Sequence, residues 1–221
     1  MYTLSTFALH KDALSKVRFT QDCSIRNVIY MSNPLPLNFL DNYNTHGAAI
    51  DLPHAILIYG ALVSAKPDRV LEIGIGTAFI TRALLDGVAY NGKGSITCVD
   101  SFYDLGTNLS QENVDSLKEK VTLIAPKTEH DFVHETSANS YDFLVSDGDH
   151  DHAGEWADKV FEIMAPNSFC FFHDVNHPHY TNLQAYHVRA KEFGKPHFLF
   201  TQNSREDERC DRGLLMIVNT K

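Results

Sequence analysis

VLEIGIGTAF, Val70 to Phe79, decides the fold of this chain. Val70 to Ile73 is a short apolar run broken only by Glu72, and it reads as a buried strand. Gly74 and Gly76 follow, and from Thr77 to Val88 the apolar residues recur at helical spacing. Glycines in such a turn let the backbone pass close to a ligand and take dihedrals that a Cβ would forbid. The helix that follows offers unpaired N–H groups and the positive end of its dipole. Strand, glycine turn and helix start together predict a nucleotide-type pocket at the carboxyl edge of a parallel sheet.

Around this stretch, strands and helices alternate. Strands are expected at 70–73, 95–99, 121–124, 141–146 and 168–173, with helices at 77–88, near 110–120, near 128–136 and at 152–164. A helix at His54 to Ser64 precedes them. HFLFT (His197 to Thr201) and LLMIVN (Leu214 to Asn219) close the chain as an antiparallel hairpin around a polar loop. The expected fold is α/β: a doubly wound, mostly parallel seven-stranded sheet of Rossmann-like type with an antiparallel terminal hairpin. Residues 1–49 do not follow the alternation and are broken by Asn33-Pro34-Leu35-Pro36. They are read as a cap over the site or an arm for a homodimer, and 50–221 as the ligand-binding domain.

A chain of 221 residues accommodates one such domain. Its formal charge of −9 and the lack of a basic run argue against a nucleic-acid partner. A small-molecule substrate fits better. No apolar run approaches the ~18 residues of a membrane span, and the first residues carry charge early, unlike a signal peptide. Cys23, Cys98, Cys170 and Cys210 show no Cys-x-x-Cys spacing, and Cys98 and Cys170 lie in strand-like runs as buried thiols. The expected compartment is the reducing cytoplasm.

Two further stretches carry the chemistry. YDFLVSDGDHDHAGEW, Tyr141 to Trp156, is an apolar strand that discharges Asp147, Asp149, His150, Asp151 and His152 into one loop. FCFFHDV, Phe169 to Val175, ends in His173 and Asp174. Neighbouring strands that deliver carboxylates and imidazoles to the same edge offer donors for a divalent ion, from Mg²⁺ to Zn²⁺. Two strand-end acids also repel unless something positive lies between them. Asp149 is open to a second reading as a turn former, and Trp156 as either a core residue or a stacking partner for a nucleobase.

The first stretch lacks the third glycine of a dinucleotide fingerprint, since position 79 is Phe79, and has no Gly-Lys-Ser/Thr phosphate loop. LEIGIGTA instead resembles motif I of the class I methyltransferases, with Ala78 in place of a frequent third glycine. SITCVDSFYDL, Ser95 to Leu105, resembles the second strand of that fold and its following string, ending in the ribose-binding acid, Asp100. DGDH and FFHDV resemble the loops of metal-dependent sugar and polyketide O-methyltransferases. The resemblance implies a site for S-adenosylmethionine built from Glu72, Gly74, Gly76, Thr77, Asp100, Ser101 and Asp147. It implies a divalent metal, Mg²⁺ foremost, on Asp147, His173 and Asp174, and His150 as catalytic base. The implied reaction is methyl transfer to the hydroxyl of a small molecule.

The chain departs from the pattern at three places. Val175 stands where catechol-type enzymes carry Asn, His173 where some sugar enzymes carry an acid, and Pro166-Asn167-Ser168 where Pro-Gly-Gly is usual. The alternatives are a metal-independent methyltransferase, a metal enzyme resembling cephalosporin hydroxylases, and a non-catalytic cofactor-binding subunit.

Overall fold

A computed structural model describes residues 37–42, 52–101, 111–201 and 212–220. Of the cap or arm expected over residues 1–49, only 37–42 are described; Cys23, Cys210, the Phe102–Leu105 string and most of the terminal hairpin loop also lie outside the described residues. A compact unit begins at Asn38.

Seven strands form one sheet in the order β3-β2-β1-β4-β5-β7-β6. They are β1 (Arg69–Ile73), β2 (Ser95–Val99), β3 (Thr122–Ile124), β4 (Tyr141–Ser146), β5 (Met164–His173), β6 (His197–Phe200) and β7 (Leu214–Asn219). The first five pair in parallel, and β7 runs antiparallel between β5 and β6. The helices are α1 (Leu52–Ala65), α2 (Phe79–Asn91), α3 (Gln111–Lys118), α4 (Glu129–Glu135), α5 (Ala157–Ile163) and α6 (Gln184–Glu192). The fold is the Rossmann-like one expected, with its antiparallel end.

Alternation along the strands sends side chains to both faces of the sheet. Leu71, Ile73, Leu144, Phe172, Leu215 and Ile217 join Phe132 and Val133 of α4, Val160 and Phe161 of α5, and Tyr186 and Ala190 of α6 in one core. The intervening Val70, Phe143, Val145 and Phe171 are equally buried, as a sheet covered on both faces requires. α1 and α2 pack on each other so closely that a Cβ on Gly87 would run into Leu62. A 3₁₀ turn at Asn38–Asn42 joins them: the Phe39 ring lies 5.4 Å from Tyr59 and 5.7 Å from Phe79, and its N–H donates to Asp86 at 2.9 Å.

The expected elements are present among the described residues, and the larger differences are these. Ala153–Trp156 is a 3₁₀ turn that precedes α5, so the helix expected from 152 begins at Ala157. β5 starts at Met164 rather than 168 because Met164 already pairs with Tyr141; the register then shifts across Pro166-Asn167-Ser168, where Asn167 takes a left-handed φ of 65°, before Phe169 pairs with Phe143. α6 was not expected: QAYHVRAKE buries only Tyr186 and Ala190, too few apolar residues to mark a helix.

The amino edge of the sheet is stitched by polar contacts. Asp142 accepts from the Arg69 and Asp68 N–H groups at 2.8 and 3.3 Å. The Asn219 amide, buried at the end of β7, donates to the carbonyls of Phe161, Met164 and Ala165 at 3.1, 3.0 and 3.3 Å. The carboxyl edge is where the chain leaves β1, β2, β4 and β5 as loops.

Candidate active site

Strand order reverses between β1 and β4, which places their loops side by side at a topological switch point. Both loops start from ladder hydrogen bonds. The Gly74 N–H donates to Val99 O at 2.9 Å, and the Asp147 N–H donates to Ile73 O at 2.8 Å. Gly74 has φ +82°, and a Cβ there would run into the Asp147 carbonyl and lie 2.8 Å from Gly148 Cα. Its glycine is thus required by the neighbouring loop, a reason the sequence does not disclose. Gly76 and Ala78 also take left-handed backbone conformations, φ 52° and 59°, before α2 begins at Phe79.

Asp100, at the end of β2, accepts the Ile75 N–H at 2.7 Å, so its carboxylate ties down the middle of the glycine turn. Thr77 is half-buried in that turn, its carbonyl accepting from Arg82 at 3.3 Å, and Ser101 is exposed beside Asp100. Glu72 faces away from solvent altogether. It accepts from Thr81 Oγ1 and Cys98 Sγ, both at 3.1 Å, and is 1% exposed. Burial pushes its pKa up to about 8, and the two hydrogen bonds offset only part of that. Glu72 thereby ties β1 to α2 and β2 just below the turn.

Asp147, His150, His173 and Asp174 converge in front of β4 and β5. His173 Nδ1 stands 3.1 Å from Asp147 Oδ1 and 3.2 Å from Asp174 Oδ1. His150 Nε2 lies between the same two acids, 3.3 Å from Asp147 Oδ1 and 3.2 Å from Asp174 Oδ2. Arg212 Nη1 reaches Asp174 Oδ2 at 3.7 Å. Asp174 is 2% exposed and held at φ +61°, a conformation that costs a non-glycine residue energy. Burial alone would raise the Asp147 pKa. His173 and His150 outweigh it and hold the carboxyl well below its ordinary range. Burial likewise works against charge on His150, but its hydrogen bonds to Asp147 and Asp174 prevail and push it up to about 10.

Asp147, His173 and Asp174 each offer a donor atom within 4.8 Å of the others, and among the described residues they are the one such group of three. Two carboxylates and an imidazole suit a divalent ion. Asp174 Oδ1 receives no hydrogen bond although it is buried, despite His173 Nδ1 nearby. A buried carboxylate oxygen in that state fits a cation ligand.

Rings line the outer side. The Tyr180 ring lies tilted against His150 at 4.5 Å and stacks on His177 at 4.2 Å, with His179 exposed beyond. Inside, His54 of α1 packs edge-on against His173 at 5.4 Å. Asp149 is a turn former: its Oδ1 accepts from the Asp151 and His152 N–H groups, both at 3.0 Å. Trp156 is 7% exposed in the core, its indole N–H donating to Glu129 at 3.1 Å.

Glu129, Arg212, His54 and Tyr180 were not anticipated from the sequence. They come from four separate segments of the chain, and no local spacing ties them to Asp147. Cys98 and Cys170 are buried free thiols, as expected.

Residues 71–175 match the family model described as a methyltransferase domain. No curated protein matches the chain. The solved structures it resembles include an O-methyltransferase from Bacillus cereus in complex with S-adenosylhomocysteine, at 14% identity and a TM-score of 0.62, with 82% of this chain and 86% of that one covered. Another is the O-methyltransferase TomG from Streptomyces achromogenes, involved in tomaymycin synthesis and in complex with S-adenosylmethionine. It is 12% identical with a TM-score of 0.62, and 83% of this chain and 87% of that one are covered. Among the described residues, no helix is long and apolar enough to cross a membrane.

Proposed function

We propose that this chain is a class I methyltransferase that transfers the methyl group of S-adenosylmethionine to a hydroxyl oxygen of a small molecule with the help of a divalent metal. One observation carries the reading: the Asp100-tied glycine turn and the Asp147–His173–Asp174 group sit on adjoining loops of one sheet edge. The solved O-methyltransferases that share the fold, with their bound cofactor or its product, support it.

The cofactor brings a methyl group already electrophilic on a sulfonium, and a divalent ion lowers the pKa of a hydroxyl bound to it. The chain's residues supply place and proton transfer. In this reading Asp100 and Ser101 hold the ribose end, and Gly74, Gly76 and Thr77 let it approach the turn above Glu72. Asp147, His173 and Asp174 hold the ion. His150, 3.3 Å from Asp147, accepts the hydroxyl proton. It does so only after losing its own proton, which the two acids oppose while they face it alone. Alignment of the hydroxyl with the methyl group supplies much of the remaining rate.

Arg212 favours a second reading. With His150 it sets two positive groups against Asp174, so the acids are compensated without an ion. Transfer is then metal-independent, and His150 accepts the hydroxyl proton once its own proton has left to solvent, with Arg212 still pairing Asp174. Calorimetry with S-adenosylhomocysteine, with and without Mg²⁺, followed by methyl-transfer assays after chelation, decides between them. Metal-dependent transfer supports the first reading and unchanged transfer the second. Absence of cofactor binding overturns both.

A further inference from the structure

We propose that Glu129 is a positioning residue that sets where the Asp147–His150 loop stands. The inference rests on the reading of that loop as the active site. Glu129 opens α4, is 7% exposed, and does not touch the acid and imidazole cluster itself. Its two oxygens take two donors from the far sides of the loop. Oε2 accepts the Asp149 N–H at 3.0 Å, and Oε1 accepts the Trp156 indole N–H at 3.1 Å. One carboxylate therefore fixes both ends of the segment from Asp149 to Trp156.

The loop is built to receive it. A Cβ on Gly148 would come 2.6 Å from Glu129 Oε2 and 2.9 Å from Ile73 Cγ2, so only glycine lets the backbone settle onto the carboxylate here. Beyond the contact, Asp149 passes the constraint on. Its side chain accepts from the Asp151 and His152 N–H groups, and its carbonyl from the Ala153 N–H at 3.0 Å. His150 is thereby held between two anchored residues, and its Nε2 falls between Asp147 and Asp174. An apolar residue at 129 would leave a part-buried backbone N–H and a buried indole N–H without this partner, a cost the carboxylate removes.

Trp156 is the single tryptophan of the chain, so its indole proton reports on Glu129 without assignment ambiguity. The experiment compares wild type with Glu129→Gln and Trp156→Phe by nitrogen-15 and imidazole NMR at fixed pH, alongside calorimetry with S-adenosylhomocysteine and thermal unfolding. In Glu129→Gln, the indole and Asp149 amide protons should lose their downfield position and the His150 ring signals should move, with unfolding still cooperative. Trp156→Phe keeps the Asp149 contact and should leave the His150 signals near those of wild type. His150 signals unmoved in Glu129→Gln overturn the proposal, since the carboxylate would then merely pair with Trp156. So does an equal displacement in Trp156→Phe. If Glu129→Gln does not fold, Glu129→Asp, too short to hold both donors, is read in the same way. Failure of wild type to bind S-adenosylhomocysteine would overturn the methyltransferase reading instead, and the His150 readout needs no ligand.

Discussion

His150 Nε2 stands 3.2 Å from Asp174 Oδ2, although 24 residues and an entire helix separate the two in the chain. The imidazole occupies the space where the acids of β4 and β5 would otherwise repel. A cation that enters between these acids competes with the proton on His150.

That competition gives the first prediction. With its pKa raised to about 10 from 6.5, His150 contributes stability that is complete below pH 6.5 and is lost as pH rises through 10. Between those limits, Mg²⁺ or Mn²⁺ binding at Asp147, His173 and Asp174 should release about one proton. Calorimetry in buffers of different ionisation enthalpy measures it. His150→Ala should bind the metal without that release. Binding with no proton released in wild type would mean that His150 stays charged and cannot be the base.

Asp100 should control the cofactor through two effects at once. It is proposed to hold the ribose, and it anchors the Ile75 N–H at 2.7 Å. Loss of such a charge-assisted contact costs about 1.5–3 kcal/mol. Asp100→Ala is therefore expected to weaken S-adenosylhomocysteine binding more than tenfold by calorimetry. Equal affinity in the variant would remove the ribose assignment.

Gly74→Ala should damage both loops. The new methyl group meets the Asp147 carbonyl, and the backbone must keep φ at +82°. A cost of about 2–4 kcal/mol is expected, visible as a lowered midpoint in denaturant unfolding. Cofactor affinity and metal affinity should fall together, because one clash displaces the walls of both sites. A variant with wild-type stability would show that the loops are not in contact.

Glu72 predicts a dependence of stability on pH. Its folded pKa of about 8 lies above the 4.5 of an ordinary glutamate, so the folded chain holds a proton that the unfolded chain has lost. Stability should fall as pH rises from 4.5 to 8 and level off above that. Glu129, raised by burial to about 7, adds to the same slope over the lower part of the window. Glu72→Gln should flatten the curve of unfolding free energy measured by urea titration between pH 5 and 9. An unchanged slope would place the titrating group elsewhere.

Much of this was legible in the sequence, and the reasons are local. β4 and β7 have the limits expected of them, Tyr141–Ser146 and Leu214–Asn219, because each is an apolar run bounded by polar residues. Asp147, His173 and Asp174 could be grouped in advance because parallel strands bring their carboxyl ends to one edge. What was hidden depends on packing between distant segments. Glu129 reads as an ordinary acid in the first turn of a helix, and its burial comes only when Gly148 and Trp156 close over it. Arg212 follows a charged loop and reads as solvated, yet it reaches Asp174. His54 sits in an apolar helix with nothing in its spacing to link it to His173.

The stitching at the amino edge of the sheet separates what the molecule must keep from what it is free to change. Asn219 caps three carbonyls there, and Asp142 secures the start of β1, all at the opposite end of the strands from the acids and imidazoles. Substitutions in the upper loops, at the carboxyl edge, do not touch those anchors, provided Gly74 and Gly148, which the loops need for their own packing, are kept. A lineage carrying this chain can therefore explore new acceptors through the upper loops while its structural margin is maintained from below, and a laboratory selecting altered acceptor preference should leave Asn219 and Asp142 untouched.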